Sequence, residues 1–348
     1  MYHLDYLPNP PRNKEACAIV ANKAYAIPNP FSMEDSKHTK DMQKRIGEIF
    51  GHEWVQFWGC GWEAFSALLL RLGAAQSALS VGFSQAAYQS FGLFGDLQKL
   101  IVPTPESVRA LDARYYFVPY VNEDVLNLNP ILEIVSALDS TGREYVLFVE
   151  ISALLQVGAW EIIATLSHPR IALVASGERI GLMPGSGFVA HSLDSLAPYL
   201  DTPIPSGFMP SLLYVCEQLR QDKYLWEYCA SGHNALLFRY LQDLLGERVG
   251  VFAPLETCLG NCLALRVFGA KARVLAQSLL LEDVVVINGM DCLLGNFRPS
   301  FVLGELGFTE AHCRELLSIS FMDLSPQDLM IIAQKIAKVC TITQALEI

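Results

Sequence analysis

Apolar positions along this chain gather into short unbroken runs closed by turn residues, and stretches with helical spacing fall between those runs. Ile171 to Ala175 is such a run. It ends at Ser176-Gly177, the charged pair Glu178-Arg179 follows, and a glycine- and proline-rich turn occupies Gly181 to Gly187. This pattern predicts a strand entering a tight loop at the edge of a sheet, where open α/β sheets bind their ligands. Strand patterns recur at 54–58, 115–121 and 145–150, and helical patterns at 14–24, 36–50, 62–72, 129–138 and 159–166. In the 36–50 stretch, Met42, Ile46, Ile49 and Phe50 share one helical face. Alternation of this kind predicts an α/β domain with a mostly parallel sheet covered by helices on both faces.

Past Asp201-Thr202-Pro203 the pattern changes. A long helical stretch, 209–245, is interrupted near Ala230-Ser231-Gly232. Strands at 262–268, 283–287 and 317–321 then mix with helices at 299–307 and 326–339. The expectation is a large α/β domain over 12–215. A smaller α+β domain would be made of 1–11 and 216–348.

Composition narrows the function classes. Hydrophobic residues make up 52% and charged ones 18% of the 348 residues, which describes a globular chain with a generous core. A formal charge of −11 argues against a nucleic-acid or anionic-membrane surface. The amino terminus lacks the apolar segment of a signal peptide, and the greasiest stretch, Phe65 to Phe83, is broken by Arg71. Nine cysteines at irregular spacing fit a reducing cytoplasm better than a disulfide framework. Cys258 and Cys262 have no second Cys/His pair at zinc spacing, so no metal site is expected. Gly185-Ser186-Gly187 reads as a turn, because the spacing and following helix of a dinucleotide fingerprint are missing. Trp54, Phe57, Trp58 and Trp62 crowd one segment, as core or as the roof of a cleft.

Seven segments follow one another along the chain: Tyr2-His3-Leu4-Asp5-Tyr6, Asn29-Pro30-Phe31-Ser32, Gly59-Cys60-Gly61-Trp62-Glu63-Ala64, the Ser176 to Gly187 loop, Gly289-Met290-Asp291-Cys292, Pro299-Ser300-Phe301-Val302-Leu303 and Ser318-Ile319-Ser320-Phe321. In this order they resemble the class V aminotransferase family, and most closely its cysteine desulfurase branch. The resemblance implies a fold-type-I architecture: a mostly parallel seven-stranded sheet between helices, and a smaller α+β domain carrying the Cys292 loop. It also implies pyridoxal phosphate as cofactor, a two-fold dimer that builds the cofactor site, and a role in sulfur transfer or iron–sulfur cluster supply.

The resemblance places the family's cofactor-binding positions at Gly61, Trp62, Gln85, Asn122, Gln156, Ser176, Glu178, Arg179 and Thr202. The aspartate that pairs with the pyridine nitrogen falls at Ala153 in one register and at Glu150 in another. Several of these positions are substituted. Arg179 stands where the family has the lysine that forms the Schiff base, and a guanidinium stays protonated and is not a nucleophile. No lysine occurs between Lys99 and Lys223. Glu178 replaces a phosphate-binding histidine, and a carboxylate facing a dianion in a poorly solvated pocket costs on the order of several kcal/mol. Trp62 replaces a threonine, and Ser318 replaces the arginine that clamps the substrate carboxylate. Only Cys292 keeps the family's catalytic residue type, as the sulfur-accepting thiol.

The resulting expectation is a cysteine desulfurase-like protein that has lost Schiff-base catalysis. It would act as a binding or regulatory partner, as a homodimer or a heterodimer with a paralogue, alongside a sulfur-acceptor or scaffold protein. The alternatives are a divergent pyridoxal phosphate enzyme delivering sulfur through Cys292, and a cofactor-free persulfide relay through the same thiol. Arg179 is expected to form an internal ion pair with Glu150 or Glu178, the alternative being that it binds a different anionic ligand or a non-covalent cofactor.

Overall fold

The computed structural model describes residues 1–23, 33–59, 61–200, 204, 207–289 and 298–346. The turn expected at 27–32, Thr202 and Cys292 lie outside them. In chain order the strands are β1 (Tyr2–His3), β2 (Trp54–Phe57), β3 (Ser77–Ser80), β4 (Gln98–Leu100), β5 (Tyr115–Pro119) and β6 (Val146–Glu150). They continue with β7 (Ile171–Ser176), β8 (Gly187–His191), β9 (Val249–Val251), β10 (Cys262–Val267), β11 (Val284–Val285) and β12 (Leu316–Ser320).

Two compact units divide the chain: Pro10–Tyr120 with Pro130–Lys223, and Met1–Asn9 with Val121–Asn129 and Tyr224–Ile348. The nine residues from Val121 to Asn129, read in the sequence as part of the large domain, thus fold with the carboxyl-terminal unit.

The first unit is built on a seven-stranded sheet in the order β2-β8-β7-β6-β5-β3-β4. Neighbours from β7 through β4 pair in parallel, and β8 is antiparallel to both β7 and β2. Strands β2 to β7 therefore all point the same way, and their carboxyl ends share one edge. Strands β5, β6 and β7 are buried along almost their whole length, which is why they read as unbroken apolar runs rather than alternating ones. On one face Phe65, Phe83, Phe117 and Phe148 pack together, with Phe117 and Phe148 stacked 4.4 Å apart. Trp58 joins this core, whereas Trp54 and Trp62 are each 43% exposed, so the aromatic segment is split between interior and surface.

Three strands of this sheet escaped the sequence reading. β3 and β4 are only four and three residues long, with a serine or a glutamine-lysine pair among them. β8 carries a fully buried His191 directly after a glycine turn.

The second unit holds a three-stranded antiparallel sheet, β12-β10-β9, and the parallel pair β1-β11. Leu263, Leu265, Leu317 and Ile319 from the sheet pack with Leu237 and Leu241 of helix His233–Leu245 and Ile332 and Ile336 of helix Pro326–Leu346. The long helical stretch breaks twice: at Asp222, and at Gly232, whose φ of +72° glycine adopts freely. The last helix runs on past Val339 to Leu346. Among the described residues no helix is long and apolar enough to cross a membrane.

Candidate functional site

At Ser176 the chain leaves β7 and turns back within a few residues. Leu182 N donates to Gly177 O at 2.8 Å and Gly177 N to Ser186 O at 2.7 Å, closing the loop on itself. Gly177 has no room for a side chain: a Cβ there would lie 2.3 Å from Ser186 Oγ and 3.0 Å from Ser186 O. Glu178–Ile180 form one 3₁₀ turn, ended by Gly181 in the left-handed conformation. The arm from Pro10 covers this loop. Asn13 N donates to Gly181 O at 3.0 Å, and Arg12 Nη1 donates to Leu182 O at 2.8 Å.

The neighbouring strand β6 delivers Glu150 at its last position, 6% exposed. Its Oε1 accepts from Ser152 N at 3.0 Å. Ser152 Oγ in turn accepts from Ser176 N at 2.8 Å. A fully buried serine thus ties the ends of β6 and β7 together through a carboxylate. The helical turn Ser152–Gln156 packs on the Glu178–Ile180 turn, where Arg179 is 8% exposed. Burial pushes the Glu150 carboxyl above the ordinary range, and the Arg179 guanidinium opposes that shift.

The first unit brings most of the expected positions to one sheet edge. Glu150, Gln156, Ser176, Glu178 and Arg179 cluster at the ends of β6 and β7. Gly61 and Trp62 begin helix Trp62–Leu72 after β2 and lie alongside, since Trp58 N donates to Gly187 O at 2.9 Å and Gly187 pairs with Ser176. Gln85 opens a short helix after β3, at the same edge and three strands from β7. Ala153, the other register for the family's aspartate, sits inside the Ser152–Gln156 turn with its methyl group buried.

Asn122 belongs to the second unit. Its Oδ1 accepts from Asp124 N and Val125 N, closing its own turn. In the same unit the Ser318 hydroxyl donates to Asp124 O at 2.7 Å, and Ser300 Oγ donates to Asp124 Oδ2 at 2.5 Å. The position of the expected substrate clamp is therefore an internal strut. Cys258 and Cys262 are buried thiols, and among the described residues no group of three or more His, Cys, Asp or Glu is placed to hold a metal ion.

Ser152, Arg12 and Asn13 were not singled out from the sequence. For Ser152 a local signal existed: a carboxylate at a strand end followed two residues on by a backbone N–H it can accept from. Asn13 carried the signal of a helix cap, since its Oδ1 accepts from Ala16 N at 2.9 Å at the start of helix Lys14–Lys23; nothing local marks Arg12, or the bond of Asn13 to Gly181, whose partners lie more than 160 residues away.

The lysines of this unit whose side chains are described, Lys14, Lys37, Lys40, Lys44, Lys99 and Lys223, are all exposed. Lys99 sits on β4, four strands from β7, or about 19 Å at the ~4.8 Å spacing of paired strands. Ser176 Oγ is buried with no hydrogen-bond partner.

No protein-family model matches the sequence, and a search of curated proteins gives no match. Solved structures do match. A NifS-like protein superposes with a TM-score of 0.74 at 13% identity, over 98% of this chain and 100% of that one. The apo cysteine desulfurase of Thermococcus onnurineus gives 0.71 at 14% identity, over 98% and 94%. The subgroup IV aspartate aminotransferase of Thermus thermophilus gives 0.65 at 14% identity, over 99% and 100%. The chain has the fold of the fold-type-I pyridoxal phosphate enzymes, in the form shared by class V aminotransferase-like cysteine desulfurases.

Proposed function

We propose that this chain keeps the cysteine desulfurase fold without the imine-held cofactor, and works as a binding or regulatory subunit of a sulfur-transfer system. The supporting observation is Arg179, buried and with its charge acting on the buried Glu150, at the position that the resemblance gives to the family's lysine. A guanidinium cannot condense with an aldehyde, and no described lysine of the unit is buried beside it. Glu178, half-buried on the same turn, adds a negative charge where the resemblance calls for a phosphate donor. These residues do not fit pyridoxal phosphate held as a Schiff base.

The cluster suits an internal electrostatic tie. Arg179 balances Glu150, and Ser152 satisfies the carboxylate and links β6 to β7. A partner would be recognised through the retained fold, either a second copy of the chain or an active paralogue that supplies the chemistry.

The test is incubation of the purified chain with pyridoxal phosphate, borohydride reduction and peptide mass spectrometry. No lysine should carry reduced cofactor above the level found on a denatured control. Specific labelling of one lysine at full occupancy overturns the reading.

A further inference from the structure

Away from the loop cluster, a cleft of about 480 Å³ opens in the carboxyl-terminal unit between helix Lys223–Ala230 with the turn after it and the loop 323–328. Aromatic rings form much of its wall. Tyr224 and Tyr228 lie 6.1 Å apart at 44°, and His233 stacks on Tyr228 at 4.3 Å and 11°. Both phenol tips are anchored to the loop. Tyr224 OH donates to Asp323 Oδ1 at 2.7 Å, while Tyr228 OH donates to Leu324 O and accepts from Leu324 N, each at 3.0 Å. Tyr224 remains half exposed, so its ring, with the hydroxyl anchored, is presented at the cleft.

The charges lining the cleft are of one sign. Glu227, Asp323 and Asp328 contribute carboxylates, and among the described residues no lysine or arginine lines it. Asp328 is engaged in capping its helix, accepting from Ser325 N at 3.0 Å, and takes a further bond from Tyr2 OH. Glu227 is exposed and forms no ion pair among the described residues. Aromatic faces carry negative quadrupole potential and attract organic cations, and two carboxylates at the rim strengthen the same preference. An anionic or carboxylate ligand meets the opposite field.

We propose that this cleft is a binding site for a guanidinium or alkylammonium group, held between the Tyr224–Tyr228 wall and the carboxylates of Glu227 and Asp323. Its volume lies within the range of small-molecule sites. The site is independent of the loop cluster and of the function proposed for it. The cation can reach it as a free amine or as a basic side chain presented by another polypeptide.

The experiment is isothermal titration of the full chain with agmatine, with N-acetylarginine amide, and with N-acetylcitrulline amide as the uncharged match. One cation per chain should bind saturably, the citrulline compound should not, and E227Q/D323N should weaken the affinity about tenfold or more. Asparagine suits position 323, whose φ is +59°, and the half-exposed Tyr224→Leu gives a second variant that should lose affinity with its melting curve unchanged. Tighter binding of agmatine assigns the site to a free amine, and tighter binding of N-acetylarginine amide to a polypeptide side chain. Either supports the proposal. It is overturned if neither cation saturates, if the citrulline compound binds equally, or if the folded E227Q/D323N variant binds as the parent does; the last result would reduce the attraction to the chain's overall charge of −11.

Discussion

Two histidines in the sheet unit should make its stability fall steeply in mild acid. His191 lies on β8 with no exposure, and His52 precedes β2 with 7%. His191 Nδ1 accepts from Leu193 N at 3.1 Å, so its proton sits on Nε2 and is donated to Gln56 Oε1 at 2.8 Å. A second proton would have to sit on Nδ1, facing an N–H. His52 Nδ1 meets Ser192 Oγ at 3.3 Å, and its Nε2 is buried with no partner. Burial lowers both pKa values from 6.5 to about 4; for His191 the His52 charge adds to the effect and Asp194 opposes it.

The sign follows from linkage. The unfolded chain takes up protons at its ordinary histidine pKa while the folded one does not, so stability is full above pH 6.5 and drains as pH falls toward 4. Between pH 7 and pH 5 each histidine should cost about 2 kcal/mol, roughly 4 for the pair. The assay is urea unfolding followed by tryptophan fluorescence, since four of the five tryptophans (Trp54, Trp58, Trp62 and Trp160) lie in this unit. H52Q/H191Q removes both titrations, and glutamine still offers a donor and an acceptor. Parent and variant should differ in their pH 7-to-5 loss by about that amount. Equal losses in the two proteins would refute the assignment of buried, neutral rings.

Three further outcomes follow from the loop cluster. Arg179→Met removes the cation that opposes the desolvation of the buried Glu150 and should destabilise by about 1–3 kcal/mol; adding Glu150→Gln should restore much of that loss, measured as a double-mutant cycle by urea unfolding. Gly177→Ala places a methyl against the Ser186 backbone oxygen and should lower stability by roughly 2–3 kcal/mol in the same assay. Ser152→Ala removes the hydroxyl that accepts from Ser176 N and should cost about 1–3 kcal/mol by leaving that donor without its partner. An unchanged unfolding midpoint in any of these proteins would show that the bonds contribute nothing net.

The amino-acid sequence by itself determined the parallel core. Strands β5, β6 and β7 are buried on both faces, so they had to be written as continuous apolar runs, and those runs are legible without coordinates. It also fixed a guanidinium at position 179, a group that stays protonated in any environment. Strands β3, β4 and β8 were decided only by tertiary structure: they are three to five residues long, and their pairing is stabilised by neighbours rather than by local pattern. The same holds for the fate of the polar positions. Asn122 folds with the carboxyl-terminal unit and closes its own turn, and Ser318 braces Asp124 across 194 residues of chain. Ser152 became a relay between Glu150 and Ser176. Apolar periodicity is a local property, set by which face a segment buries. The partner of a buried polar group is a property of the whole fold, because any of many distant donors can satisfy it and only packing selects one.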